Sequence, residues 1–215
     1  MKVLIFGPSG SGKTYTAHVL RQLGINAFDD PDIEGLSNWY DQKGRKVTEP
    51  ATADEALDNH YAFLWSVEAM AGFLEKFTNV YVFGGSGNVA SVFHLFDKIY
   101  FLKVDPETQK ERLLSRSRPT PLLDANDDGL VIWGGWFAEF ARKQNIPFVD
   151  ASQTPEQIFE IISSWWLKLA DQWSIKECPF VQGILLGVRF IFTTVFQLSK
   201  YWLGFYAVFS DIGKN

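Results

Sequence analysis

Two hydrophobic rhythms share most of this chain. Residues 3–6 are uniformly apolar, the pattern of a short strand buried on both faces. Strand-like runs recur at 25–28, 80–83, 99–104 and 146–149. Helical signals lie between them. One helix is predicted over 13–23, stopped by Gly24 at its C′ position. A longer one is predicted from the capping box Thr52-x-x-Glu55, with Ala56, Phe63, Val67, Met70, Leu74 and Phe77 on its buried face. Asp105-Pro106 and Thr154-Pro155 each open a further helix with a cap and a first-turn proline. Strand and helix alternating in this way predict a parallel sheet covered on both faces. A mixed α+β sheet is the weaker expectation, because no hairpin turn signal separates any two strands.

Between the first strand and the first helix lies Gly7-Pro8-Ser9-Gly10-Ser11-Gly12-Lys13-Thr14, which matches G-x-x-x-x-G-K-[ST] at every fixed position. Glycines let backbone N–H groups close around a phosphate, and the helix adds its positive end at the same point. Lys13 is placed to reach the β- and γ-phosphates and the Thr14 hydroxyl to ligate Mg²⁺. The expectation is a nucleoside triphosphate site, with ATP and Mg²⁺ as the bound species. No N/T-K-x-D guanine-reading motif follows. The third strand runs into Gly84-Gly85-Ser86-Gly87 without a carboxylate, so the acid for the metal is expected among Asp29, Asp30 and Asp32 at the end of the second strand.

Charge divides the chain. Residues 1–164 hold 22 of the 25 acidic and 15 of the 20 basic residues, while 165–215 carry a net +2 and 12 of the 34 aromatics. We therefore expect an ATP-binding domain over 1–164 and an aromatic-rich helical extension over 165–215. Within the extension, Gln182, Arg189, Thr193, Gln197 and Lys200 would form one narrow polar stripe on a helix spanning 180–209. That helix could lie in a membrane interface, pack on the body or a second copy, or span a membrane. The span ranks third, because two charges lie near its middle. The net charge of −5 argues against a nucleic-acid partner. Cys178 is the single cysteine, which excludes a disulfide framework and fits the cytoplasm. No cleavable leader is expected, since the first apolar run is only four residues long.

Over 1–164 the chain resembles the nucleoside monophosphate kinase group of P-loop kinases, and most closely the shikimate-kinase-like members. The resemblance rests on the phosphate loop, on Asp30-x-Asp32, on the glycine turn, and on Arg112-Leu113-Leu114-Ser115-Arg116-Ser117-Arg118, which looks like the entry to the mobile lid of those kinases. It implies a three-layer α/β P-loop NTPase fold: a five-stranded parallel sheet with helices on both faces, here with a hydrophobic helical C-terminal extension. It also implies that Asp30 or Asp32 holds Mg²⁺ or a substrate hydroxyl, and that Gly84, Gly85 and Ser86 floor an acceptor pocket. Arg116 is the expected catalytic arginine, with Arg112 and Arg118 near the nucleotide and Asp150-Ala151 near adenine. The arginines that hold the shikimate carboxylate, or clamp a nucleoside monophosphate, have no clear equivalent here. The activity implied is ATP- and magnesium-dependent phosphoryl transfer to a small-molecule acceptor, with catalysis by Lys13, Asp30 and Arg116. The alternative is a nucleotide-binding ATPase or switch whose extension docks on a membrane or a protein.

Overall fold

A computed structural model describes residues 1–115 and 129–163. Arg116, Arg118 and the extension over 165–215 lie outside the described residues.

Five parallel strands make the main sheet. They are β1 (Lys2–Phe6), β2 (Ala27–Asp29), β6 (Val80–Gly84), β7 (Lys98–Lys103) and β8 (Phe148–Asp150), in the order β2-β6-β1-β7-β8. Strand β1 is central, pairing Leu4 with Val82 on one side and with Ile99 on the other. Its uninterrupted apolar run follows from two cores. Val3 and Ile5 face one layer with Ala17 and Leu20 of α1 (Lys13–Gln22) and Ile158 and Ile162 of the last helix (Pro155–Ser163). Leu4 and Phe6 face the opposite layer with Met70, Leu74, Val92 and Ala141. Phe6 is fully buried, with edge-on rings from Phe101, Phe137 and Phe140 around it. This is the parallel sheet covered on both faces that the strand–helix rhythm implied, and with the glycine loop after β1 it has the P-loop architecture that the resemblance implied. Its last two helices before the terminal one are α4 (Pro106–Leu114) and α5 (Gly129–Lys143), and the terminal helix is α6.

Two expectations are corrected. The long helix from Thr52 is three elements: α2 (Ala53–Asp58), strand β5 (Ala62–Trp65) and α3 (Val67–Leu74). Thr52 does cap α2, accepting from the Glu55 N–H at 3.1 Å. The helix then stops because His60 adopts a left-handed φ of 53°, and Tyr61 N–H closes on the Ala56 carbonyl at 2.8 Å. That is a Schellman stop made without glycine. A fresh cap at Ser66, accepting from Ala69 N–H, starts α3. The apolar residues at three- and four-residue spacings thus belong to different elements: Val67, Met70, Leu74 and Phe77 join the core under the main sheet, while Phe63 meets Trp39 in a second sheet.

A second sheet also exists. It is antiparallel, ordered β4-β3-β5, from β3 (Ser37–Tyr40), β4 (Lys46–Val47) and β5. Its hairpin turn is built by Asp41, whose carboxylate accepts from Lys43 N–H and Arg45 N–H, with Gly44 at φ 73°. Trp39 stacks across to Phe63 at 5.5 Å, so this ring serves the small sheet.

Candidate functional site

The phosphate loop leaves the carboxyl end of β1 and runs straight into α1. Gly10 and Gly12 hold φ of 82° and 92°, a region only glycine adopts without strain. Ser11 Oγ donates to the Pro8 carbonyl at 2.8 Å and braces the curve from within. By helix geometry the first amides of α1 have no carbonyl behind them, so they are available to an anion at the loop. Lys13 Nζ folds back across the loop and donates to the carbonyls of Gly7 and Pro8, both at 2.8 Å. These are oxygen partners that a phosphate can replace.

Three aspartates lie at and just after the end of β2, and the structure separates them. Asp29 is 4% exposed, and Thr14 Oγ1 donates a short hydrogen bond to its Oδ2. Its Oδ1 is buried with no close donor, the Asp30 amide acting on the carboxylate from nearby. Burial pushes the Asp29 carboxyl above the usual carboxylate range, against the pull of Lys13 and the Thr14 bond. Asp30 packs against Gly84, and its Oδ2 accepts from Trp65 Nε1 at 3.4 Å. Burial first, then the Asp29 charge, push Asp30 up to about 6, while Lys13 and Trp65 work in the opposite sense. Asp32 turns away from the loop. It is ion-paired with Arg21 of α1 and accepts from Asp29 N–H at 2.9 Å. Partial burial works against its charge, but the Arg21 guanidinium and that N–H hold it below the usual range. Asp32 is thereby paired with Arg21 near the surface; the sequence placed it with the metal or substrate.

An oxygen-only donor set of a threonine hydroxyl and a carboxylate suits Mg²⁺. The buried Oδ1 of Asp29, beside Thr14, is a donor of the kind such an ion takes, and Asp30 is its neighbour in the chain. Asp29 was a member of the expected acidic cluster but not the residue favoured for the metal. The signal that finds it is strand parity: Ala27 and Asp29 share the face that packs on α1, and Phe28 lies on the other.

The glycine turn after β6 is tightly used. Gly7 N–H donates to the Gly84 carbonyl at 3.2 Å, and a Cβ on Gly85 would stand 2.9 Å from the Gly7 carbonyl. A Cβ on Gly84 would stand 2.5 Å from the Trp65 indole, which is 3% exposed. Strand β5 is fastened here as well: Asn88 Oδ1 accepts from Trp65 N–H at 2.8 Å, and Asn88 Nδ2 donates to the Trp65 carbonyl at 2.9 Å. Ser86 Oγ is within 3.0 Å of the same Asn88 oxygen. Trp65 thus covers the turn expected to floor an acceptor pocket. The sequence reading missed this contact because it placed Trp65 in a helix.

On the opposite side of the loop a cleft of about 350 Å³ opens between Gly12, Tyr15, Arg112, Ala151, Ser152 and Gln153. Arg112 of α4 donates to the Ala151 carbonyl at 3.2 Å and reaches the Gly10 carbonyl at 3.5 Å. Asp150 does not line this cleft. Its carboxylate accepts from Ser152 N–H at 2.8 Å, a bond that shapes the turn and holds the group below its ordinary range. Gln153 and Tyr15 were not anticipated as lining. The Gln153 Oε1 is buried without a partner.

No protein-family model matches the chain, and no curated protein matches it. Among solved structures the chain is similar to a deoxyadenosine kinase from M. mycoides with bound dATP, at 17% identity and TM-score 0.45, over 76% of this chain and 98% of that one. It is similar to a shikimate kinase from Acinetobacter baumannii in complex with shikimate, at 16% identity and TM-score 0.47, over 76% and 93%. A gluconokinase from Sinorhizobium meliloti is similar at 15% identity and TM-score 0.45, over 82% of this chain and 97% of its own.

Proposed function

We propose that this chain is a kinase that transfers the γ-phosphoryl group of ATP, with Mg²⁺, to a hydroxyl of a small molecule. One observation carries the reading. Two carboxylates stand side by side at the mouth of the phosphate loop, both pushed up by burial: Asp29, buried and bonded to Thr14, and Asp30, partly buried and pushed up to about 6. Their different partners, the Thr14 hydroxyl for Asp29 and the Trp65 indole for Asp30, divide metal binding from proton transfer. Asp29 and Thr14 would hold the metal, which would neutralise phosphate charge when bound. Lys13 exchanges its loop carbonyls for phosphate oxygens. Asp30 takes the proton of the acceptor hydroxyl as its oxygen bonds to the γ-phosphorus and the bond to the β,γ-bridging oxygen breaks, releasing ADP. Arg112 and Gly12 flank the cleft for the nucleoside. Arg116 is retained as the arginine that stabilises the transferring group, with Arg118 beside it.

A second reading, an ATPase or nucleotide switch, draws on Trp65, whose ring fills the space over Gly84 where an acceptor pocket would open. The test uses γ-labelled ATP with a panel of nucleosides, sugars and sugar acids. Label on an acceptor supports the kinase. Label in inorganic phosphate alone, across the panel, supports the ATPase and overturns the kinase.

The extension over 165–215 is proposed to mediate association through 180–209, with an anionic membrane surface or with a second copy, and the protein to work in the cytoplasm or at its membrane face. Among the described residues no helix is long and apolar enough to cross a membrane.

A further inference from the structure

The crest of the phosphate loop is held from outside by α4. Gln109, 2% exposed, donates from Nε2 to the Ser9 carbonyl at 2.9 Å. Its own backbone carbonyl and Cγ lie 3.1 Å from where a Cβ on Gly10 would stand. Behind Gln109 lies Gly134, buried in the middle of α5. A Cβ there would stand 2.8 Å from Gln109 Oε1, 3.1 Å from its Nε2 and 3.2 Å from the Pro8 Cβ. Glycine is the poorest helix former after proline, and of the two adjacent glycines inside this helix only Gly134 is closely packed, since a Cβ on Gly135 would meet nothing within 4 Å. The close approach of the Gln109 carboxamide gives position 134 its reason to be glycine.

We infer that Gln109 is a positioning residue that holds the crest of the phosphate loop, and that Gly134 is a glycine because any side chain there would drive Gln109 off Ser9. The role concerns loop shape, so it stands apart from which nucleotide binds; its effect on ATP rests on the reading of the loop as the triphosphate site. Neither residue belongs to the G-x-x-x-x-G-K-T pattern. They reach the loop from about 100 and 125 residues further along the chain.

The test reads the loop directly and ATP separately. Amide hydrogen exchange over residues 7–12 of the full chain without nucleotide is compared for wild type, Gly134→Ala, Gln109→Ala, Gln109→Leu and the Gly134→Ala/Gln109→Ala pair. Loss of one hydrogen bond, and a forced shift of the side chain that makes it, should speed exchange about tenfold in Gly134→Ala and somewhat less in the Gln109 variants. The double variant should return to the Gln109→Ala value, because truncating Gln109 makes room for the new methyl. A merely helical glycine behaves differently: alanine there raises the melting temperature and leaves the loop unchanged. Loop exchange within twofold of wild type in both Gly134→Ala and Gln109→Leu overturns the proposal, as does a double variant worse than both singles. ATP titration by calorimetry on the same set should fall in the same order. Wild-type protein that fails to bind ATP refutes the triphosphate reading, while the exchange data still decide the latch.

Discussion

Replacing Asp30 by Asn should make the protein more stable and less active at once. The carboxyl ordinarily titrates near 3.8 and here is pushed up to about 6, chiefly by burial and then by the neighbouring Asp29 charge. Each pKa unit corresponds to about 1.4 kcal/mol, so ionising Asp30 in the folded protein costs on the order of 2–3 kcal/mol, net of the attraction to Lys13. The sign follows from proton counts. Between about pH 4 and 6 the folded state holds a proton on Asp30 that the unfolded chain has released, so raising the pH through this window destabilises the fold. Above it the penalty is constant; below it the penalty vanishes. Asparagine has nearly the same shape, keeps a carbonyl for Trp65 Nε1 and carries no charge.

Thermal melts of wild type and Asp30→Asn, without nucleotide, from pH 4 to 8, measure the difference. The variant should melt higher by roughly 5–10 °C at pH 7.5, given about 2–4 °C per kcal/mol for a chain of this size. The gap should close toward pH 4. Other carboxylates, such as Asp32 and Asp150, are held below their ordinary range and bend both curves alike at low pH, so they cancel in the difference. If Asp30 is the base, the same variant loses about 10²–10⁴-fold in transfer rate. A variant that melts at or below wild type at pH 7.5 would refute the claim that burial and the Asp29 charge outweigh Lys13 and Trp65 at Asp30, and with it the argument for its role.

Three further outcomes are expected. Lys13→Ala should weaken ATP binding in calorimetry by about 1.5–3 kcal/mol, the worth of a charged hydrogen bond; unchanged affinity would remove the loop from the phosphate site. Asp29→Asn should flatten the Mg²⁺ dependence of ATP binding and leave metal-free nucleotide affinity unaltered, and a wild-type magnesium titration in this variant would return the ion to another carboxylate. A chain ended at Ser174 should still bind ATP but lose association with anionic vesicles or with itself, read by flotation and light scattering. An insoluble short chain beside a monomeric, lipid-indifferent full chain would place the extension in the core of the body.

Local signals in the sequence were readable where the physics is local. The stop at Gly24 works because glycine takes φ 81° freely, letting Ile25 N–H close on the Leu20 carbonyl at 3.1 Å. The identical closure at His60 was unreadable, because histidine carries no comparable preference for that conformation. The hairpin at Asp41–Arg45 escaped for a related reason: its geometry comes from an aspartate side chain bonding two amides, not from a two-residue glycine turn. The phosphate loop itself was legible as a contiguous pattern. The glycine turn with Gly85 was legible beside it, as the end of a parallel strand, but Gln109 and Gly134 were not, since they meet the loop only through the fold.

The acidic motif shows the same division at closer range. Asp29, Asp30 and Asp32 are nearly interchangeable as letters, yet they occupy three environments because the chain turns from strand to a 3₁₀ turn between them. Strand parity sends Asp29 toward α1 and Thr14. The first residue of the turn carries Asp30 under Trp65 and against Gly84. Past Pro31, Asp32 swings back to Arg21 and braces the Asp29 amide. The order of these three matters more than their number. A mutation that moved Pro31 or lengthened the turn by one residue would keep every aspartate while changing which one meets the phosphate loop. The chemistry of the site is therefore set by backbone geometry at the end of β2, and the small sheet that seats Trp65 belongs to that geometry as much as the aspartates do.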